Sequence, residues 1–358
     1  MRLGLLIYGD LDTRSGGYLY DRQLVQALEA AGDQVAVISL PPRNYPRHLL
    51  DNFSTDLLTR LISANCDVLL QDELNHPSLF LINRRLKRMV STPLVAIVHH
   101  LRSNETSRLR RFYRLIEGSY LKGLDGAIYN SPSTQQTVEA LVTIPGVVAL
   151  PGCDHLDASI TDDEIVSRVR QPGPLKVIFI GNLIPRKGLD TLLRALAHLP
   201  LQTWSLMVIG NPEIDMRYSR AMVRLCADLG IEGQVHFLGY RSSREVTALL
   251  EDGHLLAVPS QDEGFGIVYL EAMGYGLPPL ASAAGGAKDL IRHGENGYLV
   301  QPGDVEGLVA LLQKLHNDRD HLTHLSLAAR CTYASHPSWS QSAALVRSFL
   351  KNLPQDSL

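Results

Sequence analysis

Short apolar runs alternate along this chain with longer stretches whose apolar positions recur every three or four residues. Leu3 to Ile7, Val35 to Ser39, Val68 to Leu70, Leu94 to Val98, Gly126 to Tyr129 and Val147 to Leu150 come first. A second series follows at Lys176 to Ile180, Ser205 to Ile209, Val235 to Leu238, Leu255 to Val258, Pro279 to Ala281 and Gly297 to Val300. Near-continuous apolar strands separated by amphipathic helices are what a parallel sheet covered on both faces requires. Two series therefore predict two doubly wound, Rossmann-like α/β halves. Between them Asp157 to Pro174 is acidic, then proline- and glycine-bearing, with the weakest strand signal in the middle of the chain, and the hinge is expected there. The expected division is residues 1–160, residues 161–335 and a terminal segment 336–358, in which Trp339 to Phe349 reads as an amphipathic helix.

Composition sharpens this picture in three ways. A chain of 358 residues, 45% of them hydrophobic, fills two cores more readily than one. A net charge of -3 gives no global electrostatic attraction to nucleic acid, so no nucleic-acid partner is expected. Cys66, Cys153, Cys226 and Cys331 lie far apart with no C-x2-C pair, which argues against a structural zinc site and fits reduced thiols in a cytoplasmic protein. No stretch reaches about 18 uninterrupted apolar residues, so a soluble or peripheral protein is expected.

Candidate chemistry collects where strands end. Gln261 to Glu271 reads QDEGFGIVYLE, an acidic glycine-bearing loop that turns from the run ending at Val258 into a helix over Ile267 to Met273. Glu263 lies in the loop and Glu271 is expected about two turns into the helix, so two carboxylates flank one helix N-terminus. The freed amides between them favour anionic or hydroxyl-rich ligands. In the first half, Ser15-Gly16-Gly17 precedes an amphipathic run, and a glycine pair there lets backbone amides approach a phosphate. The full G-x-G-x-x-G spacing is absent, which weakens a nicotinamide-binding reading. His99 and His100 close the run Leu94 to Val98, and Ile180 to Gly188 places Asn182, Arg186 and Lys187 between a strand and the next helix. Each of these taken alone also fits a plain turn, a structural histidine or a solvated cation pair.

Taken together, EGFG, the eight-residue spacing of Glu263 and Glu271, and the following EAM resemble the E-x7-E element of the retaining glycosyltransferases of family 4. The resemblance covers nearly the whole chain and is strongest from 176 to 303. It implies a GT-B fold, two Rossmann-like domains facing across a cleft, and a nucleotide-diphosphate sugar as co-substrate, with no cofactor and no metal. Under it, Lys187 matches the lysine of a G-R-x-x-x-x-K-G loop that grips a diphosphate; Asn182 stands where arginine is usual, and Arg186 is the substitute cation. Glu271 would accept from the ribose, while Glu263 and the amides of Phe265 and Gly266, at the start of the helix carrying Ile267 and Val268, would hold the sugar. Gly16, Gly17 and Gly239 would border phosphate and base, and His99 would touch the donor sugar. His100 and Lys288-Asp289 depart from the family pattern, which commonly has an acidic residue and Pro-Glu there. A nucleotide-sugar epimerase and a non-catalytic nucleotide-sugar-binding protein share the architecture and stay open as alternatives.

Charge is distributed unevenly. Residues 84 to 122 hold ten Lys or Arg against Glu105 and Glu117, a local balance of +8 in a chain of -3. There Leu109, Phe112, Tyr113 and Ile116 recur at helical spacing beside Arg108, Arg110, Arg111 and Arg114. That pattern fits either a helix on the core with its arginines in water or a basic amphipathic helix on an anionic membrane surface. Because the first domain supplies the acceptor side in the family, the resemblance points to a glycan, lipid-linked or other hydroxyl acceptor met by this face, with peripheral membrane association.

Overall fold

The computed structural model describes residues 1–105, 108–154 and 158–353. The chain divides into two compact units, Met1–His155 with Pro337–Leu358, and Leu156–His336. Asp157, at the start of the expected hinge, lies outside the described residues; from Thr161 onward the same stretch forms a helix, Asp162–Arg170.

The first unit holds six parallel strands, β1 Arg2–Tyr8, β2 Gln34–Leu40, β3 Val68–Asp72, β4 Leu94–Val98, β5 Gly126–Tyr129 and β6 Gly146–Val148, in the spatial order β2-β1-β3-β4-β5-β6. β3 and β4 are buried along their whole length, whereas edge strand β2 exposes most of its residues. Central parallel strands are covered on both faces, and this explains why their sequences lack the alternation of a half-solvated sheet. The terminal helix Trp339–Lys351 belongs to this unit. Trp339 packs edge-on against Tyr20 at 5.3 Å between ring centroids, and Arg347 reaches Asp33 at 2.6 Å. A Cβ on Gly126 would come within 2.7 Å of the Phe349 ring, so β5 must be bare there for the helix to lie close.

The second unit repeats the plan with β7 Leu175–Ile180, β8 Trp204–Ile209, β9 Val235–Gly239, β10 Leu255–Val258, β11 Pro279–Ser282 and β12 Tyr298–Val300, in the order β12-β11-β10-β7-β8-β9. From β7 the chain builds outward through β8 and β9, then returns to start β10 on the other side of β7. Strand order therefore reverses between β7 and β10, and open α/β sheets bind ligands at the carboxyl ends of the strands at such a point. Helix Asp162–Arg170 opens with a capping box between Thr161 and Glu164. Its buried Arg168 donates to the carbonyls of Glu251 at 3.0 Å and Tyr275 at 2.9 Å, satisfying acceptors at the ends of the helices Ser243–Asp252 and Ile267–Gly274.

Cys66, Cys153, Cys226 and Cys331 form no disulfide among the described residues. No helix among the described residues is long and apolar enough to cross a membrane.

The first unit also buries acids. Asp72 and Glu73, where β3 ends, are 0% and 2% exposed, and Glu117 of the helix Arg110–Leu121 is 0% exposed. Burial disfavours the charged carboxylate and pushes Glu73 up to about 8, against the pull of His99 and an amide bond from His100. A carboxyl with a raised folded pKa stabilises the fold fully below its unfolded value and loses that contribution as pH rises through the folded value. For Glu73→Gln we therefore expect a melting temperature close to wild type near pH 4 and an advantage that grows from about pH 4.5 to pH 8, reaching on the order of ten degrees. A difference that stays constant across that range in paired thermal melts would contradict the buried, protonated Glu73.

Candidate active site

The loop after β7 and the loop after β10 are locked together by backbone before any side chain enters. Gly188 turns in the left-handed region at φ 70°, and a Cβ there would collide with the Pro259 carbonyl. Next to it, Gln261 donates its amide to the Arg186 carbonyl at 2.7 Å. Pro185–Lys187 forms a short 3-10 turn with its cations at the end. Arg186 donates from Nη1 to the Asp262 carbonyl at 2.7 Å, and Lys187 Nζ reaches Glu263 Oε2 at 2.6 Å. The Ser260 hydroxyl donates to the same carboxylate oxygen at 3.2 Å. Thus Lys187 and Glu263, 76 positions apart, form one half-buried unit, with each side chain 13% exposed.

A third segment closes on this pair. Gly286 donates its amide to the Glu263 carbonyl at 2.6 Å, and a Cβ on Gly285 or Gly286 would strike the backbone of Glu263 or Gly264. Ser282 to Gly286, after β11, must therefore be small to lie against the acidic loop. Gly266 is left-handed at φ 87° and caps the helix Ile267–Gly274, while the Tyr269 hydroxyl ties that helix to the Val258 carbonyl at 2.8 Å. Because Gly266 still belongs to the turn, Glu271 is the fifth helical residue, little more than one turn in, rather than two turns as its distance from Glu263 suggests. Phe265 and Ile267 are buried, while Val268 and Glu271 are half-buried. Asn182 is half-buried and makes no side-chain hydrogen bond among the described residues, and Gly239 ends β9 with φ 68°.

The first unit places its candidates separately. Ser15 caps the helix Gly16–Ala30 by accepting from the Tyr18 amide at 3.4 Å, and the space around Gly16 is open. His99 is 8% exposed at the end of β4, with Nε2 2.9 Å from Asp21 Oδ1. His100 lies 3.7 Å from Glu105. Burial works against a charged His99 ring, yet Asp21, with Asp72 and Glu73 behind it, raises its pKa to about 9. Asp72 is itself pushed up by burial and by Asp21. Sequence reasoning missed these acids. The available signal for Asp21 was its position four residues after Gly17, which puts both on one face of the helix.

Two buried groups in this unit, Asp21 with Asp72 and His99, and Glu73 with His76 and Glu117, bring donor atoms within 4.8 Å of one another, a spacing a cation would tolerate. One nitrogen of His99 is engaged by Asp21, and both nitrogens of His76 are engaged, by the Glu73 carbonyl at 2.9 Å and Tyr45 at 3.1 Å.

The basic stretch corrects one expectation. Its helix begins at Arg110, and the inward face is Tyr113, Glu117, Tyr120 and Leu121. Tyr113 therefore leaves the stripe expected to face outward, and Ile116 is half-buried. Leu109, Phe112 and Leu115 instead stand in solvent, 55%, 39% and 72% exposed, among the exposed Arg108, Arg110, Arg111 and Arg114. Arg110 donates to the Ser103 carbonyl at 2.9 Å and Arg114 to the Ala140 carbonyl at 3.4 Å.

Residues 161–332 match the family model described as Glycosyl transferases group 1. The chain is 33% identical over 177 residues to a D-inositol 3-phosphate glycosyltransferase of Nocardia farcinica, covering 48% of this chain and 39% of that protein. It is 27% identical over 270 residues to the protein of the same name from Corynebacterium efficiens, covering 71% of this chain and 63% of that one. The chain thus spans well under two thirds of the Nocardia relative's length. Among solved structures, sucrose-phosphate synthase from Thermosynechococcus elongatus superposes with a TM-score of 0.83 at 21% identity, covering 98% of each chain. HepE of Anabaena, in complex with UDP-glucose, gives 0.80 at 20% identity over 99% of this chain and 100% of that one. These likenesses show the fold, an α/β GT-B architecture with one Rossmann-like sheet in each unit.

Proposed function

We propose that this chain, whose residues 161–332 match the group 1 glycosyl transferases, moves a sugar from a nucleotide-diphosphate sugar to an acceptor hydroxyl, with retention of anomeric configuration. The observation that carries the reading is the meeting of Arg186, Lys187 and Glu263 beside the N-terminus of helix Ile267–Gly274, at the point where strand order reverses. Open α/β sheets bind ligands at such points. Transfer leaves a diphosphate that gains negative charge, and fixed cations stabilise it most effectively when they need no reorganisation. Arg186 and Lys187 are held by the Asp262 carbonyl and the Glu263 carboxylate before any ligand arrives.

In this reading Glu271 accepts from the ribose hydroxyls, for which a two-oxygen carboxylate is suited. Glu263 and the amides of Phe265 and Gly266 hold the sugar, with Lys187 fixing the rotamer of Glu263. Asn182 leaves the cationic task to Arg186 and Lys187. The family resemblance assigns His99 and the amides of Gly16 and Gly17 to donor contact as well. The acceptor attacks on the face from which the diphosphate departs, and the leaving phosphate oxygen takes its proton. HepE of Anabaena is solved with UDP-glucose, which supports a nucleotide sugar as the partner.

The acceptor is anionic or lipid-linked, and the surface of Arg108, Arg111 and Arg114 with Leu109, Phe112 and Leu115 between them meets it. Exposed apolar side chains set among arginines can enter a lipid interface while the cations pair with its phosphates. The relatives named for inositol 3-phosphate support a negatively charged acceptor.

Incubation with a panel of nucleotide sugars and acceptors, following free nucleotide and product mass, should give a glycosylated product. Release of epimerised sugar without acceptor, or binding without turnover, would contradict transfer. In the same assay Lys187→Ala should lower turnover by about 10²- to 10³-fold and Arg186→Ala by a similar factor; wild-type turnover in Arg186→Ala would remove its assignment as the substitute cation. Vesicle co-sedimentation at low salt should favour anionic over neutral lipid and weaken as salt rises, and equal binding to both would restrict the acceptor to soluble anions.

A further inference from the structure

The helix Gly16–Ala30 is built to receive one imidazole. Gly17 and Asp21 are four residues apart on the same helical face. At Gly17 a Cβ would come within 3.2 Å of His99 Cδ2, so the bare backbone makes room for the ring. At Asp21 the fully buried carboxylate meets His99 Nε2 at 2.9 Å. Tyr20 walls the ring edge-on at 5.1 Å and is itself anchored through its hydroxyl to the Ala149 carbonyl at 2.8 Å. From the other side, Asn130 Nδ2 donates to the His99 carbonyl at 3.0 Å and holds the backbone that carries the ring. Two polar atoms of this arrangement, Asp21 Oδ2 and His99 Nδ1, are buried and have no hydrogen-bond partner among the described residues. An unmet buried donor or acceptor is costly, and such atoms mark places where a ligand or water completes the set.

We propose that Asp21 is a positioning residue for sugar transfer: by holding Nε2 it fixes the His99 ring and leaves Nδ1 as the nitrogen for a substrate oxygen. The inference rests on the glycosyl-transfer reading and adds to it a residue that carries His99. Its chemistry follows from the inventory of an imidazole. With Nε2–H given to Asp21, a neutral ring has only a lone pair at Nδ1, whereas an imidazolium donates from both nitrogens. Donation to a sugar oxygen therefore needs the charged ring.

The groups that face the ring are Asp21 and Tyr20 of the helix, Asp72 at the end of β3 and Glu73 just after it. Desolvation opposes the charge and the carboxylates favour it, with Asp21 the largest of them and the only one bonded to the ring. With His99 raised to about 9, the imidazolium predominates at pH 8 and is lost as pH climbs through that value. Asn at position 21 keeps an acceptor for Nε2–H and removes the charge. The ring should then return to its ordinary value of about 6.5 or lower, leaving about 3% of it protonated at pH 8.

The test uses the full chain in two independent measurements. Imidazole NMR titration of the wild type, without substrate, should place one histidine, identified by its absence in His99→Gln, near pH 9, and the alkaline limb of wild-type kcat/KM should fall at the same pH. In Asp21→Asn both should move down by two units or more, so that kcat/KM is roughly 30-fold below wild type at pH 8 and regains most of that loss at pH 6. A pair that merely staples the helix to the sheet would lower the melting temperature and leave the pH profile in place. The proposal is overturned if wild-type His99 titrates near 6.5, or if a folded Asp21→Asn keeps the wild-type alkaline limb. Should Asp21→Asn fail to fold, the coincidence of the two wild-type values decides, and their separation by more than a unit overturns it. A wild type that transfers no sugar would instead refute the glycosyl-transfer reading, while the NMR titration still reports on the pair.

Discussion

Everything assigned to the second unit depends on how closely three strand-end loops can approach. β7 and β10 are neighbours, and the 259–266 loop lies between the loop after β7 and that after β11. Side chains at positions 188, 285 or 286 would drive these backbones apart, because each Cβ would meet a neighbouring carbonyl. Glycine at these positions is a packing requirement first. It becomes a chemical one because the approach brings Lys187 onto Glu263 and Arg186 onto the Asp262 carbonyl. An ammonium and a carboxylate 2.6 Å apart, mostly shielded from water, hold each other in one geometry without help from a ligand.

The two units handle buried charge in different ways. In the second, cation and anion are paired and partly open to solvent, so charge is retained for use. In the first, Asp72, Glu73 and Glu117 are all buried, and burial raises the pKa of each. Asp21 carries an ion pair with His99 at 2.9 Å. A single imidazole in a nest of carboxyls is thereby kept charged at a pH where it would ordinarily be neutral.

Strands were the most legible part of the sequence. β4, β5 and β10 fall where the continuous apolar runs Leu94 to Val98, Gly126 to Tyr129 and Leu255 to Val258 place them, because central parallel strands have no polar face to blur the signal. The loop chemistry was legible as residue types but not as pairings. Arg186, Lys187 and Glu263 stand out at strand ends, yet nothing local says that Lys187 and Glu263 touch across 76 positions, since the contact is created by sheet order. Position along the helix at Ile267 was misjudged because glycine at 266 extends the turn by its left-handed φ. Helical spacing in the basic stretch showed an amphipathic helix but left open which side its apolar residues face, since aromatic residues fit either face and only packing against Tyr45 and Arg102 turns Tyr113 inward. Asp21 escaped notice because a carboxylate early in a helix is ordinarily solvated, and only the ring of His99 over Gly17 shows why this one is buried.

The most direct test of the account is hydrogen-deuterium exchange of the full chain with and without a nucleoside diphosphate. Amides bound by a ligand or held in a closed loop exchange more slowly, and protection can be read segment by segment. The account predicts that the diphosphate protects residues 181–188, 260–267 and 282–286 together, since these segments are hydrogen-bonded into one surface. Protection confined to other segments, with these three unchanged under saturating nucleotide, would contradict it.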